Sequence, residues 1–182
     1  MISPAWKSAL DCSASLVRLR RTPCPLGLRT SPKPLSRSFQ KEYIMRKITR
    51  SAEETKKAAA LFGKKLKGGE IIALTGPLGA GKTVFVKGMA MGLGILEKEV
   101  RSPSFVILIE HRKGRLPLFH FDFYRIKEEA EIDTTPFEDC LKAKGVTVIE
   151  WPERIADYLP PETRRVSIEV LGRKVRRITF GK

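Results

Sequence analysis

Cysteine is scarce in this chain, with three in 182 residues, at Cys12, Cys24 and Cys140. The number is odd and the spacing matches no paired metal-ligand pattern, which argues against a disulfide framework and against a zinc site. Long apolar runs are missing too. No stretch approaches the ~20 apolar residues of a membrane span, so an integral helical membrane protein is excluded. No internal repeat is visible, and the length fits one domain with enough apolar residues for a real core. Acidic residues are also in short supply, 20 Asp and Glu against 35 Lys and Arg, for a net charge of +15. Such an excess fits either solvated basic faces or an RNA-containing partner.

The shortage of acid is sharpest at the N-terminus. Residues 1–44 hold Lys7, Arg18, Arg20, Arg21, Arg29, Lys33, Arg37 and Lys41 against only Asp11 and Glu42. Serines abound, and Pro4, Pro23, Pro25, Pro32 and Pro34 break any long helix. Two readings fit: an organelle transit segment, or a native start at Met45 with residues 1–44 as a non-native extension. The first sends the protein to a plastid or mitochondrion, the second leaves it cytoplasmic. Either way residues 1–44 are expected to be disordered, and residues 45–182 to form the domain.

What the chain does contain is Gly76-Pro77-Leu78-Gly79-Ala80-Gly81-Lys82-Thr83, which fits the phosphate-binding pattern Gly-x-x-x-x-Gly-Lys-Ser/Thr. The apolar run Glu70 to Thr75 before it reads as a strand, and Val84 to Leu93 after it reads as a helix. The glycines let backbone N–H groups close around an anion. The helix start adds its positive dipole end. Lys82 supplies a point charge for the outer phosphates, and the Thr83 hydroxyl can ligate Mg²⁺. The pattern in this context points to a nucleoside triphosphate. No Asn/Thr-Lys-x-Asp guanine-reading motif follows, which favours ATP over GTP.

Other elements are legible from Met45 onward. Ser51 to Glu54 reads as a capping box, with Ala58, Ala59, Phe62 and Leu66 on one face of the helix that follows and Gly68-Gly69 ending it. Phe105 to Glu110, Leu116 to Phe121 and Val146 to Trp151 read as strands, and Phe137 to Lys144 as a short helix. Val166, Ile168 and Val170, then Gly172, then Ile178 and Phe180 predict a terminal hairpin. The expected fold is α/β: a single P-loop NTPase domain with a mixed, mostly parallel central sheet flanked by helices and a C-terminal β-hairpin.

Three further clusters accompany the loop: Arg101-Ser102-Pro103-Ser104-Phe105, His120-Phe121-Asp122-Phe123-Tyr124-Arg125, and Ile149-Glu150-Trp151-Pro152-Glu153-Arg154. With the P-loop, over roughly residues 46–180, they resemble the TsaE (YjeE) family of small bacterial ATPases. The resemblance implies a part in making N6-threonylcarbamoyladenosine (t6A) in tRNAs that read codons starting with A. It implies ATP and Mg²⁺ as ligands and a TsaB–TsaD pair as partner, with tRNA engaged through that complex. ATP turnover would support repeated transfer cycles rather than the transfer itself. A small-molecule or nucleoside kinase is the alternative.

Asp122 ends an apolar strand, where doubly wound sheets place ligand-binding groups, and reads as a Mg²⁺-holding carboxylate or as the cap of a helix that follows. Glu150 ends the next strand and could orient the attacking water or complete the metal shell. By the resemblance Glu150 and Trp151 form a functionally needed pair, although Trp151 could equally be core. His120 reads most simply as a hydrogen-bonded structural residue. Arg125 could steady Asp122, contact a partner or form a surface ion pair. Ser104 stands where the family carries threonine in a loop resembling a GTPase switch, or it belongs to an ordinary Ser-Pro turn. The expected site is therefore Asp122 and Glu150 as catalytic residues, with Thr83, Asp122 and Glu150 toward metal. Gly76 to Thr83, Ser104 and Trp151 would hold the nucleotide.

Overall fold

Strand pairing in the computed structural model, which describes residues 45–127 and 129–181, builds a seven-stranded mixed sheet. The strands are β1 (Met45–Thr49), β2 (Ile71–Thr75), β3 (Leu108–His111), β4 (Leu118–Asp122), β5 (Val146–Glu150), β6 (Arg164–Val170) and β7 (Arg176–Phe180). Their spatial order is β1-β7-β6-β2-β5-β4-β3. The expectations for residues 1–44 lie outside the described residues. At the centre, β6, β2, β5 and β4 run parallel, and both outer pairs are antiparallel. β2, β4 and β5 are almost wholly buried, as parallel strands covered on both faces must be.

Helices α1 (Ala52–Gly63) and α2 (Lys82–Gly92) cover one face, and α3 (Phe137–Lys142) belongs to the layer on the other. Phe62, Phe85 and Phe180 meet in the first layer with centroids 5.2–6.1 Å apart. Phe121, Phe123 and Phe137 meet in the second at 5.2–5.5 Å. Full burial of each such side chain contributes about 1.5–3 kcal/mol.

The two long helices touch through glycine. A Cβ on Gly88 would stand 2.3 Å from the Lys56 carbonyl oxygen, and one on Gly92 would stand 2.3 Å from that of Ala60. One turn apart on α2, these residues let backbone pack on backbone. The contact fixes the start of α2, and with it the P-loop.

Several local expectations shift. α1 stops at Gly63, ahead of Gly68-Gly69, which form the positive-φ turn into β2 instead. Ser51 does cap α1, accepting from the Glu54 N–H at 3.1 Å, but the Glu54 carboxylate accepts from the Arg50 N–H rather than from that of Ser51. The strand expected from Phe105 begins only at Leu108, the partner of Phe121, because Phe105 and Val106 turn out into solvent and Ile107 departs from extended backbone. Phe105 is 80% exposed, and Ile107 sits at φ 64, a strained conformation for a β-branched residue. β1 was not foreseen; it closes the sheet beside β7. No helix among the described residues is long and apolar enough to cross a membrane.

Candidate nucleotide site

β2 ends at Thr75 and α2 begins at Lys82, so the chain between them must reverse within six residues. Gly76, Gly79 and Gly81 do this at φ 149, 74 and 100. Gly76 has a second constraint: a Cβ there would stand 2.6 Å from the Ile168 carbonyl oxygen of β6. The N-cap of α2 is Gly81, which supplies no capping side chain. The helix's first N–H groups thus open into the loop and make an anion cradle.

Lys82 is buried, and its Nζ donates to the carbonyls of Gly76 at 2.8 Å and Pro77 at 3.2 Å. The ammonium also lies over the Trp151 ring, 4.0 Å from its centroid. Burial pushes its pKa below the ordinary lysine value, and the negative charges of Glu150, Asp122 and Glu153 oppose that shift. The next residue, Thr83, donates its hydroxyl to Glu150 Oε1 at 3.2 Å.

The two carboxylates arrive from neighbouring strand ends. Asp122 of β4 and Glu150 of β5 are register partners, and both are buried. Asp122 Oδ1 accepts from the Tyr124 N–H at 3.0 Å, and its Oδ2 accepts from the Ser104 hydroxyl. The Tyr124 bond caps a turn and not a helix, since the next helical segment begins only at Glu129, and it coexists with the placement beside the P-loop residues. Glu150 Oε1 is shared between Thr83 and His120, whose Nε2 lies 2.9 Å away.

Trp151 follows at φ 59, a left-handed conformation outside the strand, and is only half-buried. Its ring faces Tyr124 at 5.0 Å and Lys82, so it belongs to the site rather than to either core cluster. Arg125 does not reach Asp122; its guanidinium stacks over Phe105 at 4.2 Å. The Pro103 carbonyl accepts from the Val106 and Ile107 N–H groups, so the Ser-Pro turn and the Ser104–Asp122 bond coexist.

Two features carried no sequence signal. Arg176 of β7 donates to Ala80 O at 2.8 Å and Gly79 O at 3.4 Å, and also to Gly172 O at 2.9 Å and Val175 O at 3.1 Å. It ties the P-loop to the terminal hairpin. Beside it lies a cavity of about 400 Å³, bounded by the first turn of α1 (Ser51, Ala52, Thr55), Gly79 to Gly81, Val84, and Arg173, Lys174 and Arg176. The cavity opens against the P-loop with a cationic wall, a shape that suits a base and ribose whose phosphates lie in the loop. Only the topology brings these segments together.

The donors fit a hard cation shared with phosphates. One hydroxyl and two carboxylates suit Mg²⁺, which takes one or two protein carboxylates plus substrate oxygens and water. Among the described residues no group of three His, Cys, Asp or Glu side chains forms a metal site by itself. A cation held mainly by phosphates needs none.

The family model described as "Threonylcarbamoyl adenosine biosynthesis protein TsaE" matches residues 49–178. The tRNA threonylcarbamoyladenosine biosynthesis protein TsaE of Treponema pallidum is 43% identical over 135 residues, 74% of this chain and 98% of that protein. The protein of the same name from Bacillus subtilis is 42% identical over 132 residues, 72% of this chain and 82% of its own length. The crystal structure of Bacillus subtilis YdiB superposes with a TM-score of 0.65 at 36% identity, covering 77% of this chain and 86% of that one.

Proposed function

Because the chain belongs to the TsaE family, we propose that it is a cytoplasmic Mg²⁺-dependent ATPase serving t6A modification of tRNA in association with a TsaB–TsaD-type pair. Its relatives are named for that pathway. The single observation that carries the reading is the convergence of four groups at the P-loop. Lys82, Thr83, Asp122 and Glu150 come from one helix start and two strand ends, and Glu150 touches Thr83 directly. The kinase alternative is set aside, because the family match runs through both carboxylate clusters and the hairpin.

In this reading the backbone N–H groups of Gly79 to Thr83 hold the phosphates and Lys82 contacts the outer ones. Thr83 and the two carboxylates would hold Mg²⁺, which when bound neutralises charge developing on the transferred phosphoryl oxygens. Glu150 holds the attacking water in line, and Asp122 keeps Ser104 at the phosphate edge through their hydrogen bond. The base and ribose occupy the neighbouring cavity beside Arg173 and Lys174.

Steady-state ATP hydrolysis by the full chain, alone and with the cognate TsaB–TsaD pair, tests the proposal. Slow turnover alone and strong stimulation by the pair is the expected outcome. Absence of hydrolysis in both conditions would remove the ATPase assignment. Equal rates in both would remove the partner.

A further inference from the structure

His120 and Asp122 alternate along β4 and so share the sheet face on which Glu150 stands. His120 is 0% exposed, within the layer where Leu118 and Val148 pack against α1 and α2. Its Nε2 lies 2.9 Å from Glu150 Oε1, and its Nδ1 has no partner among the described residues. A polar ring with one nitrogen unsatisfied is a costly choice for such a position, and an apolar side chain would be easier to bury. Facing a carboxylate, which only accepts when ionised, the Nε2 that lies against Oε1 is placed to donate an N–H. Thr83 Oγ1 donates to the same oxygen at 3.2 Å, so both donors land on Oε1 and Oε2 takes neither.

We propose that His120 is a positioning residue. Its Nε2–H fixes the Glu150 carboxylate in one rotamer, with Oε1 held by protein donors and Oε2 presented to the reaction. The proposal rests on the reading of Glu150 as the group that acts on water or metal. It assigns His120 no contact with nucleotide. Through β4 and β5 the arrangement joins Thr83, Glu150 and His120 into one chain of side chains, so the carboxylate's aim is set from the core side.

The test uses the full chain with three replacements. Glutamine places an N–H near the position of Nε2, asparagine falls short of it, and leucine removes it. His120→Leu and His120→Asn are expected to lose about 10- to 100-fold in partner-stimulated kcat, as for partners that orient a metal-site ligand. Affinity for a non-hydrolysable ATP analogue, measured by calorimetry, should stay unchanged. His120→Gln should recover most of the rate. In a Glu150→Gln background, His120→Leu should add no further loss, since the positioned group is already gone. In the nucleotide-free protein, long-range ¹H–¹⁵N spectra should show His120 protonated at Nε2, with a resonance that Glu150→Gln moves.

A purely structural histidine predicts otherwise. All three variants would then lose activity in step with their loss of Tm, with glutamine no better than asparagine, and that result overturns the proposal. A full additional loss in the Glu150→Gln background overturns it as well. If Glu150→Gln stops turnover while His120→Leu matches wild type, only the positioning role falls. If Glu150→Gln itself turns over normally, the reading of Glu150 falls and takes this role with it.

Discussion

Asp122 and Glu150 are register partners at the C-terminal ends of two neighbouring parallel strands, each held by a different hydroxyl. Ser104 from the loop before β3 holds the first, and Thr83 from the start of α2 holds the second. The two carboxylates therefore report on different parts of the molecule. Asp122 is tied to a loop with an exposed tip, and Glu150 to the first turn of α2. A change in the loop that carries Ser104 therefore reaches Asp122 without passing through Glu150.

Removing either negative charge should damage turnover more than binding. Asp122→Asn and Glu150→Gln keep the side-chain volume and are expected to retain nucleotide affinity while losing ~10²-fold or more in rate, as when a positioned electrostatic group is lost. Calorimetry and stimulated ATPase rates on the same preparations check this. Full stimulated activity in both variants would show the assigned roles to be wrong.

The Lys82 ammonium should make nucleotide binding pH-dependent on the alkaline side. Burial lowers its pKa from the ordinary 10.5, against the opposing charges of Glu150, Asp122 and Glu153. Bound phosphate would favour the charged form, so binding takes up a proton as the pH approaches the folded value, and affinity falls as pH rises. The stability effect has the opposite sign. Between the folded value and 10.5 the unfolded chain binds more protons, so this residue's contribution to stability grows with pH. Calorimetry in buffers of different ionisation enthalpy should show proton uptake in wild type. Lys82→Arg should show none, because guanidinium does not titrate in this range. Lys82→Ala should abolish productive triphosphate binding, while Thr83→Ala should chiefly impair the Mg²⁺-dependent step.

The P-loop, its strand and its helix were readable because each depends on local chemistry: glycines at fixed offsets and apolar residues at a regular period. The terminal hairpin was readable for the same reason, since Ile168, Ile178 and Phe180 alternate with polar residues and end buried. β1 was not, because four of its five residues are exposed and Met45 to Thr49 carries no apolar alternation. The run Phe105-Val106-Ile107 misled in the opposite direction, since Phe105 and Val106 sit in an exposed turn and Ile107, which packs on the second core layer, has a positive φ that breaks the strand. Arg176 on Gly79 and Ala80, and His120 on Glu150, join residues 96 and 30 apart in sequence or nearly so, and only the strand order brings them together. The types of the candidate residues were legible, and their partners were not.

The helix pair should be intolerant of added volume. Gly88→Ala sets a methyl 2.3 Å from the Lys56 carbonyl oxygen, a backbone atom that cannot swing aside. Overpacking of this kind costs about 1–3 kcal/mol. At about 2–4 °C per kcal/mol for a chain of this size, the Tm should fall by several degrees. Calorimetric scans of Gly88→Ala check this, with Gly69→Ala as a control for strain without contact, since nothing lies within 4 Å of a Cβ there. An unchanged Tm for Gly88→Ala would mean that α1 and α2 separate at little cost.

Partner affinity should depend on the state of the nucleotide. Ser104 bonds to Asp122, and the next two residues, Phe105 and Val106, are 80% and 62% exposed. A partner that gathers this tip would also act on the Ser104–Asp122 bond, and it stabilises one arrangement of the loop only by binding that form better than the other. Linkage then runs both ways: if docking favours the triphosphate-bound loop, triphosphate must favour docking by the same factor. Calorimetry of the full chain with the TsaB–TsaD pair is expected to rank the non-hydrolysable ATP analogue above ADP. Ser104→Ala should narrow that gap, because it removes the link between loop and carboxylate while leaving Phe105 and Val106 in place. Equal affinity with analogue, with ADP and without nucleotide would show that the loop does not couple the two sites.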